Sequence, residues 1–199
     1  MIIGMTLQFI ISLFCIYLFS SVLFSVLIAR VCGVKDIRTK GSNNAGGSNV
    51  MRICGKKAGA AAILCDTAKG FIPVIILKHL GYSDTLLYVA GLTSVMGHIF
   101  SVFYNFKGGK GVATIFGFYL AMNPMYGITF AAIWIIVLRI SSISSISSII
   151  ALSTITFLSS LHNDIAANIV LLATYFLIIY KHKQNIINIM NKTENTITK

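Results

Sequence analysis

Long apolar runs separated by short polar stretches dominate the sequence. The first run, residues 5–29, contains no charged residue and is long enough to cross a bilayer core at about 1.5 Å per residue. The other apolar runs are residues 58–77, 85–96, 112–139 (divided into two helices at Asn123-Pro124), 142–161 and 165–180. The pattern predicts an all-α, polytopic integral membrane helix bundle of about seven transmembrane helices, forming one domain over residues 1–199. Because several runs are short, five or six full spans with half-inserted segments remain an alternative.

The composition agrees with a membrane protein. Hydrophobic residues make up 56% of the chain and charged residues only 11%, whereas soluble domains are roughly 25% charged. A water-soluble globular enzyme is therefore excluded. The 16 Lys and Arg against 5 Asp and Glu give a net charge of +11. Nucleic-acid binding requires a solvated basic face, which this chain lacks, so we expect membrane lipid and no nucleic acid as partner.

The basic residues indicate the orientation in the membrane. Seven Lys or Arg lie in residues 30–57, directly after the first apolar run. Because cytoplasmic loops are enriched in Lys and Arg, this loop is predicted to be cytoplasmic and the N-terminus to lie outside. Seven spans then place the C-terminus in the cytoplasm.

Three unusual polar stretches fall on this predicted cytoplasmic side: residues 40–52, 97–114 and 181–185. Each combines glycines or amides with cations, and glycine lets backbone N–H groups close around an anion that Lys or Arg neutralises. Helices predicted to begin at Ala58 and Val112 would add further donors at their N-termini. Each stretch alone is as well explained as a basic connector, but together they predict an anion site. A nucleotide-binding P-loop is excluded, because Lys110 precedes Gly111 and no strand precedes the stretch.

Other polar residues give weaker signals. Asp66 and Lys69 lie one helical turn apart within an apolar run, and they are either a functional pair or a structural ion pair facing the bundle. The four cysteines show no metal-binding spacing, so we expect no metal site.

Taken together, the stretches resemble a known family, the bacterial acyl-phosphate:glycerol-3-phosphate acyltransferases (the PlsY family). Residues 41–52 match its Gly-Ser-Gly-Asn-x-Gly-Ala-Thr-Asn-x-x-Arg motif, and residues 97–114 match its Gly-His-x-Phe and Phe-Lys-Gly-Gly-Lys-Gly-Val-Ala-Thr motifs. His182, Asn185 and Ile186 match its His-x-x-Asn-Ile motif. The first motif departs from the family pattern at three positions: Asn43 replaces Gly, Gly47 replaces Ala and Ser48 replaces Thr.

This resemblance implies transfer of a fatty acyl group from acyl phosphate to the 1-hydroxyl of glycerol 3-phosphate. The products are 1-acyl-glycerol 3-phosphate (lysophosphatidic acid) and phosphate, in the first step of phospholipid biosynthesis. It also implies a multi-pass protein of the cell inner membrane with its active site facing the cytoplasm. No cofactor is implied, because acyl phosphate is already activated. The alternative from another class is a small transporter or channel for phosphorylated solutes.

The resemblance also implies roles for individual residues, while the identity of the proton acceptor stays open among His182, His98 and the leaving phosphate. The implied catalytic residues are Ser42, His182 and Asn185. The residues implied to bind substrate phosphate are Ser42, Asn44, Asn49, Arg52, Lys107 and Lys110. Those implied to support the site are Asp66, Lys69 and His98.

Overall fold

The computed structural model describes residues 2–197, and their side chains from residue 6 onward. Within this range, all regular structure is helical, which confirms the predicted all-α class. The ten α-helices are α1 (Ile2–Ser21), α2 (Phe24–Val31), α3 (Gly47–Cys54), α4 (Lys56–His79), α5 (Asp84–Ile99), α6 (Val112–Met122), α7 (Pro124–Ser141), α8 (Ser144–Ser160), α9 (Ile165–Lys181) and α10 (Lys183–Met190).

Among the residues that the structure describes, four segments are long and apolar enough to cross a membrane: Thr6–Val31, Lys56–His79, Asp84–Tyr104 and Pro124–Ser141. A fifth is present if α9 and α10, which meet at 52°, form one span. Helices α6 and α8 are apolar but shorter. The 11 residues of α6 extend about 16 Å, whereas the hydrocarbon core of a bilayer is about 30 Å thick. Helix length alone therefore does not support the predicted seven full spans.

The structure corrects the predicted boundaries in three places. The first apolar run is broken at Val22 and Leu23 into α1 and α2. The first polar stretch, predicted as a connector leading to a helix at Ala58, contains α3, and α4 begins at Lys56. The third polar stretch continues into α10. By contrast, the predicted break at Asn123-Pro124 is confirmed, because the Asn123 side chain accepts a hydrogen bond from the Met125 amide and caps α7.

Helices α4 and α6 approach each other at two glycines. A Cβ on Gly70 of α4 would collide with the carbonyl oxygen of Thr114, and one on Gly117 of α6 would collide with the carbonyl oxygen of Thr67. The backbones are therefore in direct contact. This contact fixes the start of α6, and with it the second polar stretch, against α4.

A side chain at this contact is expected to destabilise the bundle. The substitution Gly117→Val forces the α4 and α6 backbones apart, and overpacking of this kind costs about 1–3 kcal/mol in the free energy of unfolding. Thermal unfolding of the detergent-solubilised protein measures the effect. Ala61→Val, at an exposed position of α4, serves as the control, and equal midpoints for the two variants would contradict this packing.

Two buried clusters organise the molecule. The larger has members from α1 and from α4 to α9, and it includes Leu87, Phe118 and Tyr119. The smaller lies beneath the first polar stretch and includes Leu23, Ile37 and Val50. Large apolar side chains are also exposed along the outer helix faces, as expected for a surface in contact with lipid: Leu64, Ile76, Ile128, Ile136, Phe157, Ile169 and Phe176. The smaller cluster gives the polar stretch a rigid base.

Candidate active site

The three polar stretches meet at one end of the bundle around a cavity of about 280 Å³. Most of the residues singled out from the sequence line it, although they are spread over more than 140 positions of the chain. Those lining it are Ser42, Asn44, Asn49, Arg52, Asp66, His98, Lys110, His182 and Asn185. The structure therefore brings together the residues that the sequence predicted to form one site.

Three helices begin at this cavity. The first residues of α3, α6 and α8, which are Gly47, Val112 and Ser144, all contribute to its wall. The first amides of an α-helix have no carbonyl partner within the helix, and the helix dipole places partial positive charge there. The cavity thus combines free backbone donors with cations, the arrangement that suits an anion such as phosphate.

Asn49 holds the first polar stretch in shape. Its amide nitrogen donates to the carbonyl oxygens of Ile37, Lys40 and Asn44 at 2.8–3.1 Å, and its Oδ1 accepts from the Ser42 amide at 2.9 Å. Because these bonds use both amide hydrogens, the structure places Asn49 as an organiser of the loop. This differs from the predicted donation to a ligand.

The stretch also accommodates its departure from the family motif. Asn43, which stands where Gly is usual, has φ of 54°. Asn is among the non-glycine residues that best tolerate this left-handed region. The Ser42 hydroxyl, next to it, has no hydrogen-bond partner among residues 2–197. The loop therefore keeps its turn without glycine and leaves this hydroxyl available.

Lys110 and Asn185 join the second and third polar stretches. The Lys110 Nζ donates to Oδ1 of Asn185 at 2.5 Å. Burial lowers the pKa of Lys110 to about 8; the Glu194 carboxylate raises this pKa, and the positive charges of Lys181 and Arg52 lower it further. At neutral pH the ammonium is therefore charged, but it titrates far below the range of an exposed lysine.

This shifted pKa predicts a pH dependence. The role in substrate-phosphate binding predicted for Lys110 requires its protonated form, so kcat/KM is expected to fall as the pH rises above about 8. Lys110→Arg moves this limb to higher pH, because the guanidinium stays charged. A pH profile of both proteins checks the effect, and an identical alkaline limb in the two would contradict the assignment to Lys110.

His182 lies buried between α9 and α10. Its Nδ1 lies 2.8 Å from the carbonyl oxygen of Ile178; a carbonyl only accepts, so Nδ1 carries the proton and Nε2 offers a lone pair. Burial and the positive charge of Lys110 lower the pKa of His182 to about 4, against opposing effects of Ile178 and Glu194. The ring is thus a neutral hydrogen-bond acceptor and a weak base.

Asp66, Lys69 and His98 form a buried cluster beside the cavity. The Lys69 Nζ lies 2.8 Å from Oδ1 of Asp66, and His98 Nδ1 lies 3.6 Å from the same oxygen. Asp66 and Lys69 therefore form an ion pair, and Asp66 and His98 also line the cavity. The backbone oxygen of His98 accepts from the Gly109 amide at 3.1 Å, so the cluster lies directly under the loop that carries Lys110.

Lys107 differs from the other predicted residues. Its side chain is exposed, and it lies outside the residues that line the cavity. Its carbonyl oxygen accepts from Arg38 at 3.1 Å, and Arg38 also pairs with Asp36 at 2.8 Å. Arg38, which the sequence did not single out, therefore ties the first polar stretch to the second.

The structure adds residues that the three motifs do not contain. Ser145 and Ser148, from the serine-rich stretch at the start of α8, line the cavity together with Glu194. Phe116, Phe130 and Trp134 form an apolar wall, and the Trp134 indole donates to the Ser148 hydroxyl at 3.1 Å. The three-residue spacing of Ser145 and Ser148 places them on one helix face, a signal present in the sequence; Glu194 has no such signal.

Fold and site together define an integral membrane protein with a cleft of cations and helix N-termini at one end of its bundle. A family model described as glycerol-3-phosphate acyltransferase matches residues 10–192. The chain therefore belongs to the glycerol-3-phosphate acyltransferase family. This confirms the family and the enzyme class predicted from the sequence, and it decides against the transporter.

Similar proteins and structures agree with this family. The chain is 36% identical over 192 residues to a glycerol-3-phosphate acyltransferase of Ruthia magnifica subsp. Calyptogena magnifica, covering 96% of this chain and 98% of that protein. It is also 36% identical over 192 residues to one of Coxiella burnetii (strain RSA 493 / Nine Mile phase I), covering 95% and 98%. The crystal structure of PlsY, an integral membrane glycerol 3-phosphate acyltransferase, in its glycerol 3-phosphate form superposes with a TM-score of 0.89 at 34% identity over 95% of each chain.

Proposed function

We propose that this chain transfers a fatty acyl group from acyl phosphate to the 1-hydroxyl of glycerol 3-phosphate. The products are lysophosphatidic acid and phosphate, and the reaction is the first step of phospholipid biosynthesis. The single observation that carries the proposal is the convergence of the three family motifs on one cleft of cations and helix N-termini. Related structures bearing the family name include a glycerol 3-phosphate form and a lysophosphatidic acid form, which supports the same substrate and product.

Arg52 and Lys110 are proposed to bind substrate phosphate. Both line the cavity, and they come from different polar stretches. Two phosphorylated substrates held side by side repel each other, so more than one cation is needed. The hydroxyl of Ser42, the amide of Asn44 and the first amides of α3 and α6 supply neutral donors. Lys107, exposed at the edge of the loop, is proposed to contribute only long-range charge.

The apolar wall formed by Phe116, Phe130 and Trp134 supports a site for the fatty acyl chain. Phe130 and Trp134 belong to α7, a helix of which only a small share is buried. A chain lying there keeps its carbonyl group near the cations while its methylene groups stay out of water. Burial of each methylene contributes about 0.8 kcal/mol, so this wall accounts for selective use of a fatty acyl donor.

A smaller polar cavity adjoins the first and supports a second subsite for glycerol 3-phosphate. Lys110, Asn185 and Ser42 line both cavities, whereas Lys181 and Asn188 line only the smaller one. Two adjoining cavities that share Lys110 and Asn185 allow both substrates to bind together. The glycerol hydroxyl can then lie next to the acyl carbonyl, and this proximity supplies much of the catalysis.

The proposed reaction needs no covalent enzyme intermediate. The glycerol 1-hydroxyl oxygen bonds to the acyl carbon, the bond from that carbon to the phosphate oxygen breaks, and phosphate leaves with the electron pair. His182 and Asn185 orient the hydroxyl, since a neutral imidazole with a free Nε2 accepts its hydrogen bond. Because the pKa of His182 is lowered to about 4, the leaving phosphate is the better final acceptor of the hydroxyl proton.

Asn49 and the Asp66–Lys69–His98 cluster are proposed to position the residues that touch substrate. Asn49 holds the Ser42 loop, and His98 holds the backbone of the Lys110 loop. Lys69 is buried and paired with Asp66. We therefore propose that Lys69 supports the site through this pair and does not touch substrate.

We also propose that the site faces the cytoplasm of a cell inner membrane, with the N-terminus outside and the C-terminus inside. The basic residues around α2 and α3 and the Lys110 loop lie at the same end of the bundle, in agreement with the positive-inside rule. Seven crossings require α6 and α8 to complete the bundle as short spans. Reporter fusions at Asn105 and His162 test this; a reporter at Asn105 outside the cell would contradict the orientation.

The acyl donor tests the proposed reaction. Purified protein is offered acyl phosphate, acyl-CoA or acyl-acyl carrier protein separately, with glycerol 3-phosphate in each case. Lysophosphatidic acid is expected only from acyl phosphate, because the cleft places cations against a phosphate leaving group. Product from acyl-CoA at an equal rate would contradict the assignment of the donor.

A further inference from the structure

The residues that follow α10 fold back against the cavity, and Glu194 and Asn195 form part of its wall. We call residues 191–197 the strap. The Thr196 carbonyl oxygen accepts from Arg52 at 3.3 Å, and the Ile197 amide donates to the Ser142 carbonyl oxygen at 2.9 Å. Glu194, between these anchors and α10, places its side chain into the cavity wall. The strap therefore spans from α10 to the start of α8 and brings a carboxylate into the cleft.

The Glu194 carboxylate lies among the residues proposed to bind substrate phosphate. Its Oε1 accepts from Asn185 Nδ2 at 2.6 Å and from the Ser145 hydroxyl at 2.8 Å. Its charge also acts on Lys110 strongly enough to influence its titration. A carboxylate at this place partly neutralises the cations that two dianionic substrates need.

The Glu194 carboxylate is only partly satisfied by hydrogen bonds in the cavity. Oε2 is buried and has no hydrogen-bond partner within the described part of the chain. A buried carboxylate oxygen without a partner is unfavourable. A phosphate group, with more oxygens and greater charge, can engage the surrounding donors more fully. Glu194 is thus a weaker ligand for this cleft than a substrate.

The strap also lies largely outside the part of the chain that defines the family. The family model matches residues 10–192, so the match includes neither Glu194 nor the anchors at Thr196 and Ile197. The family assignment therefore gives these residues no role.

We propose that the strap is an internal competitor, in which the Glu194 carboxylate occupies a phosphate position until a phosphorylated substrate displaces it. The inference rests on the proposed function, because it identifies the site with the phosphate site of the substrates. The strap lowers the apparent affinity of the protein for its phosphorylated substrates. The apparent dissociation constant equals the intrinsic one divided by the fraction of molecules in which the strap is open. Removing the competing charge therefore strengthens substrate binding when it is measured at a pH low enough to keep Lys110 protonated, because the Glu194 carboxylate also raises the pKa of Lys110.

The substitution Glu194→Gln tests the proposal, because it removes the charge and keeps the shape. Inorganic phosphate is titrated into the purified protein by calorimetry, and KM for glycerol 3-phosphate and kcat are measured in parallel. We expect the phosphate dissociation constant and KM to fall by about threefold or more while kcat stays within about twofold. A chain shortened by removal of residues 194–199 is expected to behave like the substitution.

Asp84→Asn is the matched control. It removes one negative charge at an exposed position at the other end of α5 from His98, and it is expected to leave both constants unchanged. If both strap variants stay active with unchanged phosphate binding and KM, the proposal is overturned while the proposed function stands. If kcat collapses in both, Glu194 takes part in the reaction and the competitor role is wrong. If the unaltered protein makes no lysophosphatidic acid but its strap variants still bind phosphate more tightly, the proposed function is wrong, whereas the proposal that Glu194 competes with phosphate stands.

Discussion

Lys110→Ala is expected to lower kcat/KM by about 10²-fold or more, which corresponds to about 2.7 kcal/mol of transition-state stabilisation. Lys110 is the one residue that the Lys-Gly loop presents to both cavities, and it is bonded to Asn185 at 2.5 Å. Its loss therefore removes a charge from the phosphate site and releases the side chain proposed to orient glycerol 3-phosphate. Steady-state kinetics with acyl phosphate and glycerol 3-phosphate measures the effect.

Lys107→Ala is the matched control, since it removes the same charge from the same loop at an exposed position. We expect it to lower kcat/KM by less than about tenfold, because exposed charges are screened by solvent and salt. Equal losses from the two substitutions would contradict the distinction that the structure makes between these lysines.

Arg52→Ala is expected to have an effect of the same size, about 10²-fold or more in kcat/KM. Arg52 lies on α3, lines the same cavity and donates to Oδ1 of Asn49 at 3.4 Å. Its guanidinium can bind two phosphate oxygens at once, which lysine cannot do. Arg52→Lys should therefore recover only part of the loss, and a kinetic comparison of the three proteins measures how much.

Arg139→Ala provides the control for Arg52. Arg139 is exposed at the end of α7 and lies outside the residues that line the cavity. Its loss is expected to leave kcat/KM within about twofold. Wild-type kinetics in Arg52→Ala would remove Arg52 from the site.

The sequence was sufficient to predict an all-helical membrane protein and most of the cleft. Apolar runs define helices directly, and the glycine, amide and lysine content of three short stretches pointed to an anion site before their proximity was known. His182 and Arg52, 130 positions apart in the chain, both line the cavity as predicted. The composition of each motif was enough to predict anion binding, because each motif contributes several residues to the cavity wall.

Contacts between distant segments set the limits of prediction. Lys107 and Lys110 belong to the same motif, and the sequence does not distinguish them. Contacts with other segments, among them that of Arg38 with the Lys107 carbonyl oxygen, fix the loop with Lys107 outside the cavity. Asn49 was predicted to bind a ligand because an amide offers donors. The structure shows these donors bonded to loop carbonyl oxygens, which depends on the fold of the loop and not on its composition.

Helix α3 and Glu194 were missed for related reasons. Helix α3 has only eight residues and begins with glycine; such a short helix depends on packing against α4 more than on its own propensity. Glu194 belongs to no motif, and its approach to Ser145 requires the strap to turn back over the cleft. Neither arrangement leaves a periodic or compositional signal.

The reaction products provide the most direct test of the central claim that this cleft transfers an acyl group between two phosphorylated molecules. Purified protein in sealed liposomes is given acyl phosphate and labelled glycerol 3-phosphate, and lysophosphatidic acid, free phosphate and label inside the liposomes are measured together. We expect lysophosphatidic acid and phosphate in equal amounts, with no uptake of glycerol 3-phosphate. Uptake without lysophosphatidic acid, or release of free fatty acid in its place, would contradict it.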